Sequence, residues 1–195
     1  MRIDVIDNFL MPDEVVKYQR KVKELTWNAF ERDIFQQDNV LSGMIADLNP
    51  DWREEFDDKI LTKAQELTNV DLWIGRAYMN AWKANEICLP HRDYNHTTCL
   101  VYMNIDVGIQ HAGETVFFDD ENDAVGIVSP KPGRAVFFDG FKLHRAGSVN
   151  SLYMKDYRYT LAYKLHHKDD DKKTTEMVKH NPEEEVKTEP VFMSR

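Results

Sequence analysis

The sequence predicts a mainly β protein of the α+β class, with helices first and a β core after them. Apolar residues recur at helical spacing in the first third of the chain. After Asn69 the texture changes to short aromatic and β-branched runs, and turn residues separate those runs. Helices followed by many short strands point to a sandwich or barrel with the helices packed on one side.

Arg2 to Ile6 reads as a short strand. Pro12 suits a first helical position, and Asp13 and Glu14 favour the positive end of a helix. Val15, Tyr18, Val22 and Leu25 continue that helix to about Trp27. Residues 28–48 lack periodicity, contain Gln36, Gln37, Asp38, Asn39 and Gly43, and read as a long loop or lid. Asn49-Pro50 reads as an N-cap followed by the first residue of a second helix. Trp52, Phe56, Ile60, Ala64 and Leu67 give that helix, over Pro50 to Thr68, a core-facing stripe. Strands are expected at 70–83, 97–105, 114–118, 125–129, 134–138 and 157–165, with turns at Asp119 to Asp123 and at Ser129 to Gly133. From Lys168 the chain is polar and charged, as in a solvated, mobile tail. The expected layout is one domain over 1–167, with helical support in about 1–69 and the β core in about 70–167, followed by the tail 168–195. There is no internal repeat.

The bulk numbers exclude several classes. A chain of 195 residues fits one sizeable core. The formal net charge of −9, with no strong basic run, disfavours a nucleic-acid partner and mildly favours a neutral or basic substrate. Two cysteines, Cys88 and Cys99, make neither a zinc finger nor a disulfide framework, and both are expected to be ordinary thiols. No apolar run is long enough to span a bilayer. The start, MRIDVIDNFLMPDE, carries acids early and lacks the layout of a secretory signal, so a cytoplasmic protein is expected.

The chemistry centres on Pro90-His91-Arg92-Asp93. In an extended chain alternate side chains share a face, so His91 and Asp93 can reach one metal. His144, after the apolar run Ala135 to Phe138 and the turn Asp139-Gly140, supplies a third ligand. Two histidines and one carboxylate on one face of an iron leave open positions for a co-substrate and oxygen. In Tyr157 to Leu165, alternation places Arg158 and Thr160 on one face and Tyr157, Tyr159, Leu161, Tyr163 and Leu165 on the other. A buried arginine there needs a partner, and a ligand carboxylate suits a guanidinium. The alternative is that Arg158 pairs with a protein acid or faces solvent.

Taken in order, these residues resemble the 2-oxoglutarate and iron(II) oxygenase superfamily, most closely its prolyl 4-hydroxylase-like branch. The resemblance covers roughly residues 70 to 166, and more loosely the N-terminal helices. It includes His91-x-Asp93, Thr98 to Asn104, Ala112-Gly113-Glu114-Thr115-Val116-Phe117, Pro130 to Phe138, His144 and Arg158-Tyr159-Thr160. It implies a double-stranded β-helix, a jelly roll with N-terminal helices on one side. It also implies iron held by His91, Asp93 and His144, with Arg158, Thr160 and Tyr102 at the distal carboxylate of 2-oxoglutarate. Iron(II), 2-oxoglutarate and O2 would serve the reaction, with ascorbate as an optional addition. The implied reaction hydroxylates a substrate C–H bond while 2-oxoglutarate becomes succinate and carbon dioxide. There are departures. Arg158 follows His144 by 14 residues, farther than is usual in the branch. Trp82 stands where a tyrosine is common, and Ala-Gly-Glu-Thr replaces Gly-Gly-Glu-Thr.

Other chemistries fit parts of the pattern. His91-Arg92-Asp93 resembles a kinase catalytic loop, but Thr98 occupies the required asparagine position and the glycine-rich loop is missing. A zinc hydrolase can use the same three ligands, yet it needs a general base that the sequence does not place and leaves Arg158 and Thr160 without a role. A cupin-like binding module is the non-catalytic alternative. The substrate class stays open between a prolyl residue of a peptide or protein, another protein side chain, a free amino acid and a small metabolite. The loop 28–48, Trp82, Tyr94 and the insertion 150–155 are candidates for shaping the substrate entrance. His96, His111, His166, His167 and His180 are assigned no role.

Overall fold

The computed structural model describes residues 2–29, 43–86 and 88–169. In chain order the elements are β1 (Ile3–Ile6), α1 (Pro12–Val22), β2 (Asn28–Ala29), β3 (Met44–Asp47), α2 (Pro50–Thr68), β4 (Leu72–Trp82), β5 (Thr97–Tyr102), β6 (Thr115–Phe118), β7 (Ala124–Val128), β8 (Ala135–Asp139), β9 (His144–Ala146) and β10 (Arg158–His167). A larger antiparallel sheet runs β1-β8-β5-β10-β4-β3-β2, and a smaller one runs β7-β6-β9. This is the jelly-roll arrangement expected from the sequence. Among the described residues no helix is long and apolar enough to cross a membrane.

The helices form for local reasons. Asn49 caps α2 by accepting the Trp52 amide at 2.8 Å, and Asn69 ends it in the left-handed conformation at φ 55°. α1 begins at Pro12, where the Glu14 carboxylate accepts the Met11 amide at 2.7 Å. It stops at Val22, short of the expected Trp27. Lys23, Glu24 and Leu25 each bond three residues back, and the Trp27 indole donates to the Val22 carbonyl. Leu25 and Trp27 still pack on the core, so their periodicity reflects burial, while the backbone has already left the helix. Residues 28–48 also depart from the expectation of a loop. Their described ends form β2 and β3, which extend the larger sheet through β4. Residues 30–42, and the tail from 170 onward, lie outside the described residues.

Two apolar layers result. One face of the larger sheet packs on the helices through Val15, Tyr18, Phe56, Ile60, Ala64, Leu161, Tyr163 and Leu165, among others. The other face meets the smaller sheet around Leu100, Tyr102, Phe117, Val128, Val136, Phe138 and Ala162. β5 is buried at every position because both of its faces are covered. The space between the sheets is where the candidate site opens.

Candidate metal centre

His91 and His144 face each other through a reciprocal backbone bridge. The His91 amide donates to the His144 carbonyl at 2.9 Å, and the His144 amide donates back at 3.0 Å. This bridge attaches the His91 segment to β9, whose other edge pairs with β6. Gly140 fixes the next step, since its carbonyl accepts the amides of Asp93 at 2.7 Å and Tyr94 at 3.1 Å. A Cβ at Gly140 would sit 2.2 Å from the Asn95 carbonyl oxygen, so this close approach requires glycine. Arg92 points the other way, to the Phe141 carbonyl and to Asp120. The alternation expected for His91-x-Asp93 is therefore present.

Ligand atoms of His91, Asp93 and His144 lie within 4.8 Å of one another. Each imidazole Nε2 stands 3.6 Å from an Asp93 oxygen, His91 from Oδ1 and His144 from Oδ2. Cis ligands on a metal with bonds of about 2.1 Å stand about 3 Å apart, so each imidazole–carboxylate spacing needs to close by about 0.6 Å. The tautomers are set from outside the cluster. His91 Nδ1 donates to the Leu89 carbonyl at 2.9 Å, and His144 Nδ1 donates to the Lys142 carbonyl at 2.8 Å. A carbonyl only accepts, so both Nδ1 atoms carry the proton and both Nε2 lone pairs are directed to the shared space. Phe138 packs edge-on against His144, with ring centroids 4.7 Å apart.

Burial and neighbouring charges pull the three side chains in different directions. Burial pushes His144 down to about 4, so it is neutral at pH 7. Burial also pulls on His91, but Cys88 and Asp93 outweigh it and raise His91 to about 9; a metal ion displaces that proton on binding. Burial favours the neutral form of Asp93, yet Lys164, His144 and His91 hold its carboxyl well below the usual range.

Arg158, Thr160 and Tyr102 gather on the face that lines the space between the sheets. Arg158 is buried, donates from Nε to the Gly113 carbonyl at 2.7 Å and lies 5.2 Å over the Tyr102 ring. It makes no ion pair with a carboxylate among the described residues. Among the described residues, neither the acid-paired nor the solvent-facing alternative holds. Thr160 lies within 3.5 Å of the Asn80 amide nitrogen. The Tyr102 hydroxyl engages Thr115 at 2.7 Å and the Val128 carbonyl at 3.1 Å, so its ring is what meets Arg158.

Among the entrance candidates, Trp82 is the cross-strand partner of Arg158. Tyr94 is exposed beside the triad, edge-on to Phe141 at 6.0 Å. The insertion 150–155 follows a bridge between Val149 and Ala112. That bridge lies next to Gly113, whose carbonyl accepts from Arg158.

Four further residues stand at the site that the sequence did not single out as site residues: Thr98, Lys164, Tyr78 and Cys88. The Thr98 hydroxyl donates to Asp93 Oδ2 at 2.6 Å. Lys164 reaches the same oxygen with its ammonium and stands 5.6 Å over the Tyr78 ring. Burial opposes the Lys164 charge, and Tyr78 and Asp93 outweigh it. Cys88 places its sulfur 3.9 Å from His91 Nδ1. The alternation that selected Arg158 and Thr160 also puts Lys164 on their face; nothing local pointed to Thr98, Tyr78 or Cys88.

No family model and no curated protein matches the chain. Solved structures do. A prolyl hydroxylase from Trichoplax adhaerens, in complex with a hypoxia inducible factor oxygen degradation domain peptide fragment, matches with a TM-score of 0.66 at 17% identity, over 89% of this chain and 86% of that one. A prolyl-4-hydroxylase from Pseudomonas putida matches at 0.62 and 16%, over 85% and 92%. A non-heme alpha ketoglutarate dependent carbocyclase from nogalamycin biosynthesis matches at 0.65 and 13%, over 96% and 90%. The chain is thus similar in fold, the double-stranded β-helix, to 2-oxoglutarate and iron(II) oxygenases that include prolyl hydroxylases.

Proposed function

We propose that this protein is an iron(II)- and 2-oxoglutarate-dependent dioxygenase that hydroxylates a C–H bond of its substrate. The observation that carries the reading is the buried Arg158 guanidinium, which lacks a carboxylate partner among the described residues and shares an interior with the His91, Asp93 and His144 cluster. A buried charge without an opposite partner is costly. A bound dicarboxylate relieves that cost at Arg158 while its other end reaches the metal. When bound, iron(II) with 2-oxoglutarate and oxygen supplies oxidative hydroxylation, with succinate and carbon dioxide as coproducts.

The chain's own residues do the rest. His91 and His144 present Nε2 because Leu89 and Lys142 hold Nδ1. Arg158, over the Tyr102 ring and beside Thr160, orients the distal carboxylate. The apolar residues between the sheets keep bulk water from the centre. A hydrolytic zinc site gives Arg158 no task.

A prolyl residue of a peptide is the first substrate class to test, with a free amino acid or small metabolite as the alternative. Fold neighbours span both kinds, one in complex with a peptide fragment and another from nogalamycin biosynthesis. The same proposal takes 1–167 as the catalytic unit, supported by one core cluster that runs from Phe9 to Leu165. It keeps the cytoplasm as the site of action, supported by the unpaired thiols Cys88 and Cys99.

The test is anaerobic titration of the metal-free protein with iron(II) and then 2-oxoglutarate. The expected result is the weak visible absorption of the chelate, lost in His91→Ala and His144→Ala. Iron binding without that absorption would remove the cosubstrate from the proposal.

A further inference from the structure

Lys164 is placed against the one carboxylate of the candidate metal set. Its side chain is 13% exposed and projects from the β10 face that carries Arg158 and Thr160. Its ammonium and the Thr98 hydroxyl both engage Asp93 Oδ2. Two donors on one oxygen leave Oδ1 as the better ligand. They also disfavour two-oxygen coordination, which would occupy a position needed by a chelating cosubstrate. A divalent metal, one carboxylate and two neutral imidazoles leave one net positive charge, and Lys164 raises that to two.

We propose that Lys164 is a positioning residue for the metal centre: it restricts Asp93 to coordination through Oδ1 and adds a fixed positive charge that favours a dianionic cosubstrate. The cosubstrate half rests on the proposed function; the metal half does not. The two halves have opposite signs. A cation a few ångströms from the metal repels it and weakens its binding. The same cation attracts an anion that joins the metal.

The experiment compares the full chain with Lys164→Gln, which keeps a donor to Asp93 without the charge, and Lys164→Arg, which keeps the charge. Cobalt(II) binding is followed by its visible ligand-field absorption, and 2-oxoglutarate is then titrated into the cobalt-loaded protein. Lys164→Gln is expected to bind cobalt about tenfold more tightly and 2-oxoglutarate about tenfold more weakly. Lys164→Arg is expected to return both values toward the parent. Should Lys164→Gln fail to fold, Lys164→Met takes its place with the same expected signs. Unchanged affinities, or a loss of both together, would overturn the assignment. If the cobalt-loaded parent binds no 2-oxoglutarate, the oxygenase reading falls, and the cobalt affinity still decides the role of Lys164.

Discussion

Residues at this site are prepared before any ligand arrives. Both imidazoles are held in the metal-binding tautomer by backbone carbonyls two positions away in sequence, Leu89 for His91 and Lys142 for His144. Arg158 is the costlier commitment, because a buried guanidinium satisfied by a carbonyl, a hydroxyl and a ring keeps its charge uncompensated. Arg158→Met is therefore expected to weaken 2-oxoglutarate binding by about a hundredfold while leaving metal affinity nearly unchanged. Anaerobic titration of the metal-loaded variant measures this. Unchanged 2-oxoglutarate affinity would mean that another group holds the carboxylate.

Elements meet at points where particular backbone geometry is required. Gly133 precedes β8 at φ 68°, and a Cβ there would lie 2.1 Å from the Leu10 carbonyl oxygen. Leu10 in turn donates to the Gly133 carbonyl, joining the end of the β1 turn to the start of β8. Gly133→Ala is expected to cost about 2 kcal/mol in urea unfolding, since neither the backbone contact nor the left-handed conformation suits alanine. Asp7 reinforces the same junction. Hydrogen bonds from Arg134 and then Lys131 lower its carboxyl from 3.8 to about 2. A depressed folded-state value stabilises the fold above the unfolded value of 3.8, and that stability is lost as pH falls toward 2. The group is solvent-exposed, so screening keeps the contribution to about 0.5 kcal/mol. Asp7→Asn is expected to lower the urea midpoint slightly at pH 7 and to match the parent near pH 2. An equal deficit at both pH values would remove the carboxylate charge as the cause.

The whole molecule separates support from chemistry on opposite faces of one sheet. The helical layer is tied to it by packing and by a few polar links, such as the Tyr163 hydroxyl donating to Asp57 at 2.8 Å. Phe56 is 1% exposed at the centre of that layer, against Tyr18 and Trp52. Phe56→Ala is expected to cost about 3–4 kcal/mol by urea unfolding. Cobalt affinity should hold below the unfolding transition, because the triad lies on the other side of the sheet. A matching loss of cobalt affinity in folded protein would show that the helical layer sets the site geometry.

The sequence by itself determined the features that local rules govern. Period-two alternation placed His91 with Asp93, and Arg158 with Thr160. Capping chemistry bounded α2 at Pro50 and Thr68, and the ordered pattern pointed to the jelly roll. The tertiary structure alone decided the features that depend on partners distant along the chain. It paired His91 with His144, aimed Lys164 and Thr98 at one oxygen of Asp93, and turned parts of the segment 28–48 into β2 and β3. It also ended α1 at Val22 while Leu25 and Trp27 stayed on the core. The physical reason is that alternation and capping are properties of a few consecutive residues. Which side chain meets which across two facing sheets is set by strand register and packing, and neighbouring residues carry no record of either.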